Sequence, residues 1–181
     1  MPHYNNMLQT IITSKTRIKL LLKFFLNKDT KSYLRNLESE FGESTNAIRI
    51  ELNRLESAGL LTSELLGNKK LFQANTRHPL FADIHNILRK TIGIDQIIKH
   101  VTSKIGDLKE TYLIGDLAVG RDSSVVDLLL IGKEINQTYV SELIQKAEKY
   151  VDRKIRYLII LPEEKEAFIK SNSSFLIWTK E

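Results

Sequence analysis

Apolar residues recur at helical spacing in the early part of the chain and predict three helices. We expect the first helix to begin after Ser14, the second to follow Ser32 and end at Gly42, and the third to run from Ser44 to Gly59. The apolar positions that define these helices are Ile18, Leu21, Leu22 and Phe25, then Leu34, Leu37 and Phe41, then Ile48, Leu52 and Leu55.

The pattern changes from helical to extended after Gly59. Two short runs, 60–66 and 70–74, flank the turn sequence Gly67-Asn68-Lys69 and predict a β-hairpin. Two short helices separated by a glycine turn have helix-turn-helix spacing, and a hairpin directly after them is typical of a winged helix. We therefore expect a winged helix-turn-helix domain over residues 1–78.

The outward positions of the third predicted helix carry short hydrogen-bonding groups, one guanidinium and one apolar side chain. These positions are Thr45, Asn46, Arg49, Ile50 and Asn53. Arginine can bind guanine with two hydrogen bonds, asparagine can bind adenine in the same way, and Ile50 can touch a thymine methyl group. Lys69 and Lys70 at the hairpin tip suit phosphate contacts. An ordinary amphipathic helix and a solvated turn are the alternatives, and the order of the elements favours DNA binding.

Charge is distributed unevenly between the two parts of the chain. The net charge is +5, and residues 1–78 hold 12 Lys and Arg against 7 Asp and Glu, so the rest is neutral. Hydrophobic residues make up 42% of the chain, which excludes a disordered protein. There is no cysteine, which excludes disulfides and thiolate metal sites, and the apolar run 18–26 is too short and too charged to span a membrane. We expect a cytoplasmic protein without a membrane segment.

The remainder of the chain predicts a connecting helix and a second domain. Pro79 is expected to open the connecting helix over 79–93, and the second domain covers 94–181. Its helices are expected at 94–105, 140–150 and 162–169, and its strands at 112–114, 125–131, 155–161 and 175–178. The fold class is therefore α+β, with a small α/β domain after the winged helix. The connecting helix has surplus apolar surface, so we expect it to contribute to a homodimer.

The string STNAIRIELNRLESAGLL, followed by LLGNKKLFQAN, resembles the arsenic-repressor-like winged-helix transcription regulators. The resemblance covers residues 16–75, and it implies that the third helix binds in the major groove of DNA. It does not imply metal sensing, because the cysteine-based sites of that family have no counterpart here. The histidines are too scattered to form a ligand cluster: His3, His78, His85 and His100.

The segments GDLAVG (115–120) and DLLLIG (127–132) resemble the minimal domains of the nucleotidyltransferase superfamily. The resemblance implies a glycine-serine turn that holds nucleotide phosphate and two strand aspartates that hold magnesium. This chain keeps Gly115, Gly120 and Asp127, but it has Asp116 where the serine belongs and Val125 where the first aspartate belongs. The strand 155–161, where a third carboxylate is expected, contains no acidic residue. We therefore expect an inert domain without catalytic residues, metal or cofactor.

Taken together, the two halves resemble a fused class of bacterial and archaeal regulators that join a winged helix to a minimal nucleotidyltransferase-like domain. The resemblance implies a sequence-specific transcription regulator that binds double-stranded DNA, with an unknown ligand or protein partner possible at the second domain. One alternative is an active magnesium-dependent nucleotidyltransferase of the toxin-antitoxin type, with an accessory winged helix. Another is a protein-interaction module, which predicts no salt-dependent affinity for duplex DNA.

Overall fold

The computed structural model describes residues 8, 10–101, 105–121, 123–151 and 153–180, so His3 lies outside the described residues. The chain divides into two compact units. The first unit comprises residues 6–88 together with the short segment 120–122, and the second unit comprises the rest. Both units combine helices with a β-sheet, which confirms the predicted α+β class.

In the first unit, helices precede and follow the first strand along the chain, and a hairpin separates the third helix from the fourth. In chain order its elements are α1 (Lys15–Leu21), a π-helical turn (Leu22–Leu26), β1 (Lys31–Tyr33), α2 (Leu34–Phe41), α3 (Thr45–Ser57), β2 (Leu61–Leu66), β3 (Lys69–Ala74) and α4 (Phe81–Ile92), which runs across the boundary between the units. The three strands form an antiparallel sheet in the order β1-β3-β2.

Local sequence signals explain where these helices begin and end. The Ser14 and Ser44 side chains each accept a hydrogen bond of 3.2 Å from the third residue of the following helix, Arg17 or Ala47. Gly42 ends α2 with a φ of +62°, a left-handed conformation that glycine adopts without steric cost. The predicted helices and the hairpin are confirmed in this unit.

Two helices begin slightly later than the sequence signals suggest. Helix α2 follows Ser32 as predicted, but Ser32 itself lies in β1 opposite Phe72 and is buried, and the helix begins at Leu34. Pairing with β3 holds this segment extended, and a strand of three residues has no periodicity of its own to reveal it. Pro79 does not open α4, which begins at Phe81.

The core of the first unit lies between its helices and the sheet. Its fully buried side chains include Leu20, Phe24, Phe25, Leu26, Leu37, Ile48, Leu52 and Leu61. All five residues of the π-helical turn are buried, including Lys23, whose ammonium lies 2.8 Å from a carboxylate oxygen of Glu40. Five successive side chains project around most of the helix circumference, so this turn is enclosed on nearly all sides.

The second unit is built on a mixed sheet of four strands. Its elements are α5 (Ile94–Val101), β4 (Asp107–Ile114), α6 (Gly115–Ala118), β5 (Val125–Lys133), α7 (Gln137–Ala147), β6 (Lys154–Ile160), a 3₁₀ turn (Pro162–Glu164), α8 (Lys165–Ser171) and β7 (Ser174–Thr179). The strand order is β6-β5-β4-β7, and only the β5–β6 pair is parallel. The predicted strands are present, although β4 begins at Asp107, five residues before its predicted start.

Helix α8 covers part of one face of this sheet. Phe168 and Ile169 pack against the core cluster of Tyr112, Leu129 and Ile131. Glu110 on β4 links the strand to α8, because its carboxylate lies 2.7 Å from the Lys165 ammonium. It also accepts a hydrogen bond of 2.7 Å from the Tyr112 hydroxyl. Burial alone would raise the pKa of Glu110, but the hydrogen bonds from Lys165 and Tyr112 outweigh it and lower that pKa.

A single buried hydroxyl in this sheet lacks a hydrogen bond. Thr111 on β4 is 1% exposed, and its Oγ1 has no partner among the described residues. An unsatisfied buried polar group costs about 1–3 kcal/mol, and valine has nearly the same shape as threonine without that group. We therefore expect Thr111→Val to stabilise the second unit by roughly 1 kcal/mol.

Chemical denaturation followed by tryptophan fluorescence measures this effect, because Trp178 is the only tryptophan and pairs with Thr111 in the sheet. Thr179→Val is the matched control, since Thr179 lies on the same sheet and is exposed, and it should change stability little. A loss of stability in Thr111→Val would show that the hydroxyl is satisfied.

Candidate functional site

Helix α3 presents a polar face to solvent and an apolar face to the core. Ile48, Leu52 and Leu55 are buried, while Asn46, Arg49, Ile50 and Asn53 are exposed and Thr45 is half-buried. At about 100° per residue, the five residues predicted to face outward lie within about 140° of the helix circumference. The structure therefore places all five predicted residues together on one side of α3.

The polar side chains of this face have no hydrogen-bond or ion-pair partners among the described residues. Within the described part of the chain, the side chains of Asn46, Arg49 and Asn53 form no hydrogen bond or ion pair. Their donors and acceptors, together with the apolar contact surface of Ile50, are consequently available to a ligand. An exposed guanidinium without a carboxylate partner is the chemistry that a polyanion would select.

Sequence analysis missed an ion pair between the buried carboxylate of Glu51 on α3 and the half-buried Arg17 on α1. The Glu51 carboxylate accepts hydrogen bonds from Arg17 Nε at 2.8 Å and Nη2 at 3.2 Å, and Arg54 Nη1 lies 3.1 Å away. Burial alone would raise the pKa of Glu51, but its hydrogen bonds with Arg17 and Ser14 lower it overall. The available signal was its spacing, because Glu51 is three residues after Ile48 and four before Leu55, at the edge of the apolar side of the helix.

The two lysines at the hairpin tip differ in their surroundings. Lys70 forms an ion pair of 3.1 Å with Glu56 on α3 and lies 5.9 Å from the centroid of the Phe72 ring. A hydrogen bond from Ser63, aided by Lys70, lowers the pKa of Glu56. Lys69 is exposed and has no ion pair among the described residues. Lys69 is thus the tip lysine that remains available for a phosphate contact.

Sequence analysis also missed an exposed cation on α2. Arg35 faces solvent, whereas Leu37 and Phe41 on the same helix are buried, and Arg35 has no ion-pair partner in the described residues. Its position off the apolar stripe was the signal that could have identified it. Arg35 therefore adds to the uncommitted positive charge of the first unit.

The second unit brings together part of the nucleotidyltransferase-like motif. Gly115 follows β4 with a φ of +68°, and a Cβ there would lie 2.6 Å from Asp127 Oδ2. Glycine is thus required both by the backbone conformation and by the carboxylate packed over it. Asp116 is exposed in α6, and Val125 is half-buried at the start of β5. Gly120 is not part of this arrangement, since it belongs to the first unit and packs against the backbone of Lys23.

Asp127, the one strand carboxylate that this chain keeps from the motif, is paired with an arginine. Arg156 lies opposite Asp127 in the parallel β5–β6 register, with Nε 2.7 Å from Oδ1 and Nη2 2.9 Å from Oδ2. This bidentate hydrogen bonding, with further attraction to Asp116, raises the pKa of Arg156. Because both oxygens of Asp127 accept from the guanidinium, a metal ion at that carboxylate would compete with Arg156 for them.

No group of three histidine, aspartate or glutamate side chains in the described ranges is placed to hold a metal ion. Among the described helices, none combines the length and the apolar character needed to cross a membrane.

Comparison with known proteins found matches among solved structures only. No protein-family model matches the chain, and no curated protein matches it significantly. A crystal structure from Sulfolobus solfataricus, described as a "putative nucleotidyltransferase", matches 49% of this chain and 80% of its own with 21% identity and a TM-score of 0.36. These values are too low for the likeness to support an argument about the activity of this chain.

The ion pair between Glu51 and Arg17 should contribute to the stability of the first unit. Glu51→Gln should destabilise the first unit by about 1–3 kcal/mol at neutral pH, because the substitution removes a carboxylate that is hydrogen-bonded to Arg17. The folded-state pKa of Glu51 lies below 4.5, so its contribution is complete above pH 4.5 and disappears as the pH falls through the folded-state value. The difference between wild type and variant should therefore shrink in acid.

Urea unfolding followed by the NMR amide signals of α3, at neutral and acidic pH, measures this difference. Glu64→Gln is the matched control, because Glu64 is exposed, lies in the same unit and makes only a 3.5 Å pair with Lys31. A difference that stays constant with pH would contradict the assignment to the Glu51 carboxylate.

Proposed function

We propose that this chain is a sequence-specific DNA-binding transcription regulator that uses α3 as its recognition helix. The observation that carries the proposal is the uncommitted face of α3, where Asn46, Arg49 and Asn53 point to solvent without intramolecular partners among the described residues. Side chains that must read base edges need free donors and acceptors and a fixed orientation. The buried Glu51–Arg17 pair supplies that orientation.

The order of elements in the first unit supports a winged helix-turn-helix domain. A helix, a short strand, two further helices and a hairpin follow one another, and the short strand β1 pairs with β3 of the hairpin. In this proposal α2 and α3 form the helix-turn-helix, and β2 and β3 form the wing. Glu56 joins the wing to α3 through Ser63 and Lys70.

Each residue of the site then has a chemical role. Arg49 can donate two hydrogen bonds to guanine, Asn46 and Asn53 can each pair with adenine, and Ile50 can contact a thymine methyl group. Thr45 can donate to a base edge or a phosphate. Lys69 on the wing binds phosphate, as does Arg35 on α2, whereas Lys70 remains paired with Glu56. The net positive charge of residues 1–78 attracts the polyanion before these contacts form.

Two substitutions separate base reading from phosphate binding. On a duplex selected from a random pool, Arg49→Ala should lose about 1–3 kcal/mol of affinity and relax selectivity at one base pair. Lys69→Ala should weaken selected and random duplexes alike, and it should reduce the slope of log affinity against log salt by about 0.9. Fluorescence anisotropy at several salt concentrations measures both effects.

Lys99→Ala is the control for charge, since Lys99 is exposed on α5 in the second unit. Equal losses on selected and random DNA for Arg49→Ala would show that α3 does not read sequence. Absence of any salt-dependent affinity for duplex DNA would favour the protein-interaction module instead.

We further propose that the second unit is a nucleotidyltransferase-like domain without catalytic activity. Magnesium usually relies on carboxylates plus substrate phosphates, and here Val125 stands in one ligand position while Arg156 occupies the oxygens of Asp127. Asp116 would repel a phosphate about 4 Å away by about 4 kcal/mol at an effective dielectric constant of 20. These features favour the inert regulator over the active enzyme.

Nucleotide transfer provides the test of this second proposal. With magnesium and a labelled nucleoside triphosphate, wild type, Asp127→Ala and Arg156→Ala should all transfer label at the same background rate. Freeing Asp127 in Arg156→Ala should not create activity, because Val125 still lacks a carboxylate. Transfer by the wild type that is lost in Asp127→Ala would establish the enzyme and overturn the proposal.

A further inference from the structure

Two aromatic rings stack where two helices of the second unit end. His100 lies in the last turn of α5, and Tyr150 lies in the turn that follows α7. Their ring centroids are 4.8 Å apart, with 23° between the ring planes. His100 Nδ1 is 2.7 Å from the Gln96 carbonyl oxygen, which orients that ring. Tyr150 is 51% exposed, and its hydroxyl forms no hydrogen bond within the described residues, so the stack presents an oriented aromatic surface to solvent.

Two lysines without carboxylate partners flank Tyr150. Within the described part of the second unit, the lysines that form an ion pair are residues 109, 133, 154, 165, 170 and 180. The lysines that form none are Lys90, Lys99, Lys146 and Lys149, and all of them are exposed. Lys149 is adjacent to Tyr150, and Lys146 precedes the tyrosine by about one helical turn. Unpaired positive charge and exposed aromatic surface therefore coincide at this point.

Lys99 is next to His100 in the chain but lies on another side of α5. At about 100° per residue, His100 is about 60° around the helix from the buried Ile97, whereas Lys99 is about 160° from it. Lys99 therefore points away from the side of α5 that is packed in the core. It has the same charge and the same lack of a partner as Lys149, so it is a matched control for that residue.

We propose that His100, Tyr150, Lys146 and Lys149 bind single-stranded nucleic acid, with a base stacked on Tyr150 and the neighbouring phosphates beside the two lysines. Every nucleobase has a π-face, so stacking on an aromatic side chain tolerates any sequence. A carboxylate-bearing partner could satisfy the lysines, but it would leave the ring surface unused. The bases of a duplex are stacked on one another and cannot make this contact. The proposal therefore goes beyond duplex recognition by α3.

A purely structural role for Lys146 makes a different prediction. Lys146 lies in the last turn of α7, where a cation interacts favourably with the helix dipole. That role predicts a lower melting temperature for Lys146→Ala without any change in nucleic-acid binding. Binding and melting are therefore measured on the same variants, and we expect Lys146→Ala to weaken binding of the single strand as well.

Fluorescence anisotropy at low salt, with labelled single strands of about eight nucleotides, tests the proposal on the full chain. DNA and RNA strands of one sequence should both bind, because they share bases and phosphates. Tyr150→Ala should weaken binding by about fivefold or more, because a base loses its stacking partner. Tyr150→Phe keeps the ring and should bind as the wild type does. Lys149→Ala should reduce the slope of log affinity against log salt by about 0.7.

Three controls separate stacking from charge and the second unit from the first. An abasic strand of the same length should bind the wild type and Tyr150→Ala equally weakly, because it offers phosphates without bases. Lys99→Ala should leave the salt slope for the single strand unchanged. Tyr150→Ala should bind duplex DNA as the wild type does, so failure of this proposal and failure of recognition by α3 are distinguishable.

Four results would overturn the proposal. The wild type could lack measurable affinity for either strand, or the abasic strand could bind the wild type as tightly as the normal strand does. Tyr150→Ala and Lys149→Ala could both bind as the wild type does, which would place the strand on other cations. Adenosine monophosphate could bind as tightly as the strand, which would assign the surface to a free nucleotide.

Discussion

The buried carboxylate of Glu51 is the constraint on which the candidate interface depends. A charged group inside a helix bundle is costly unless it is paired, so Arg17 must hold Glu51 in one geometry. That pairing joins α1 to α3 and adds to the apolar packing of Ile48, Leu52 and Leu55, which sets the side of α3 that faces solvent. Arg49 and Asn53 are exposed because they lie on the face of α3 opposite the residues packed in the core.

Several other carboxylates in the chain are also paired with a lysine or an arginine. Glu56 binds Lys70, Glu40 binds Lys23, and Asp127 binds Arg156 in a bidentate pair. Each pairing removes a cation or an anion from the set of groups that could contact a ligand. The charges left over, such as Arg49 and Lys69, therefore mark surfaces for which the described part of the chain supplies no internal partner.

Much of the first unit could be predicted because its signals are local. Ser14, Ser44 and Gly42 mark helix ends through their own chemistry, and the hairpin is indicated by a Gly-Asn turn between extended runs. The outward positions of α3 follow from the spacing of its buried residues. A helix period alone is sufficient to identify such a face, provided that the helix itself is correctly located.

The missed features depend on contacts distant in sequence. Strand β1 exists because β3 pairs with it, and neither its length nor its pattern reveals this. The pairing of Lys70 with Glu56 and that of Asp127 with Arg156 require knowledge of which elements are neighbours. Without the β5–β6 register, the sequence shows only that position 156 lacks a carboxylate. It does not show that Arg156 is hydrogen-bonded to Asp127.

The recognition surface proposed on α3 belongs to a single helix. A single recognition helix reads only a short half-site, which limits how strongly one copy can discriminate among sequences. Discrimination among longer sites therefore needs contacts beyond one α3, either from the wing or from a second copy on an adjacent half-site. Binding to adjacent half-sites raises the effective concentration of the second copy and allows a weak contact to add to affinity. Weak pairing would thus favour paired half-sites while leaving the free protein largely able to exchange between them.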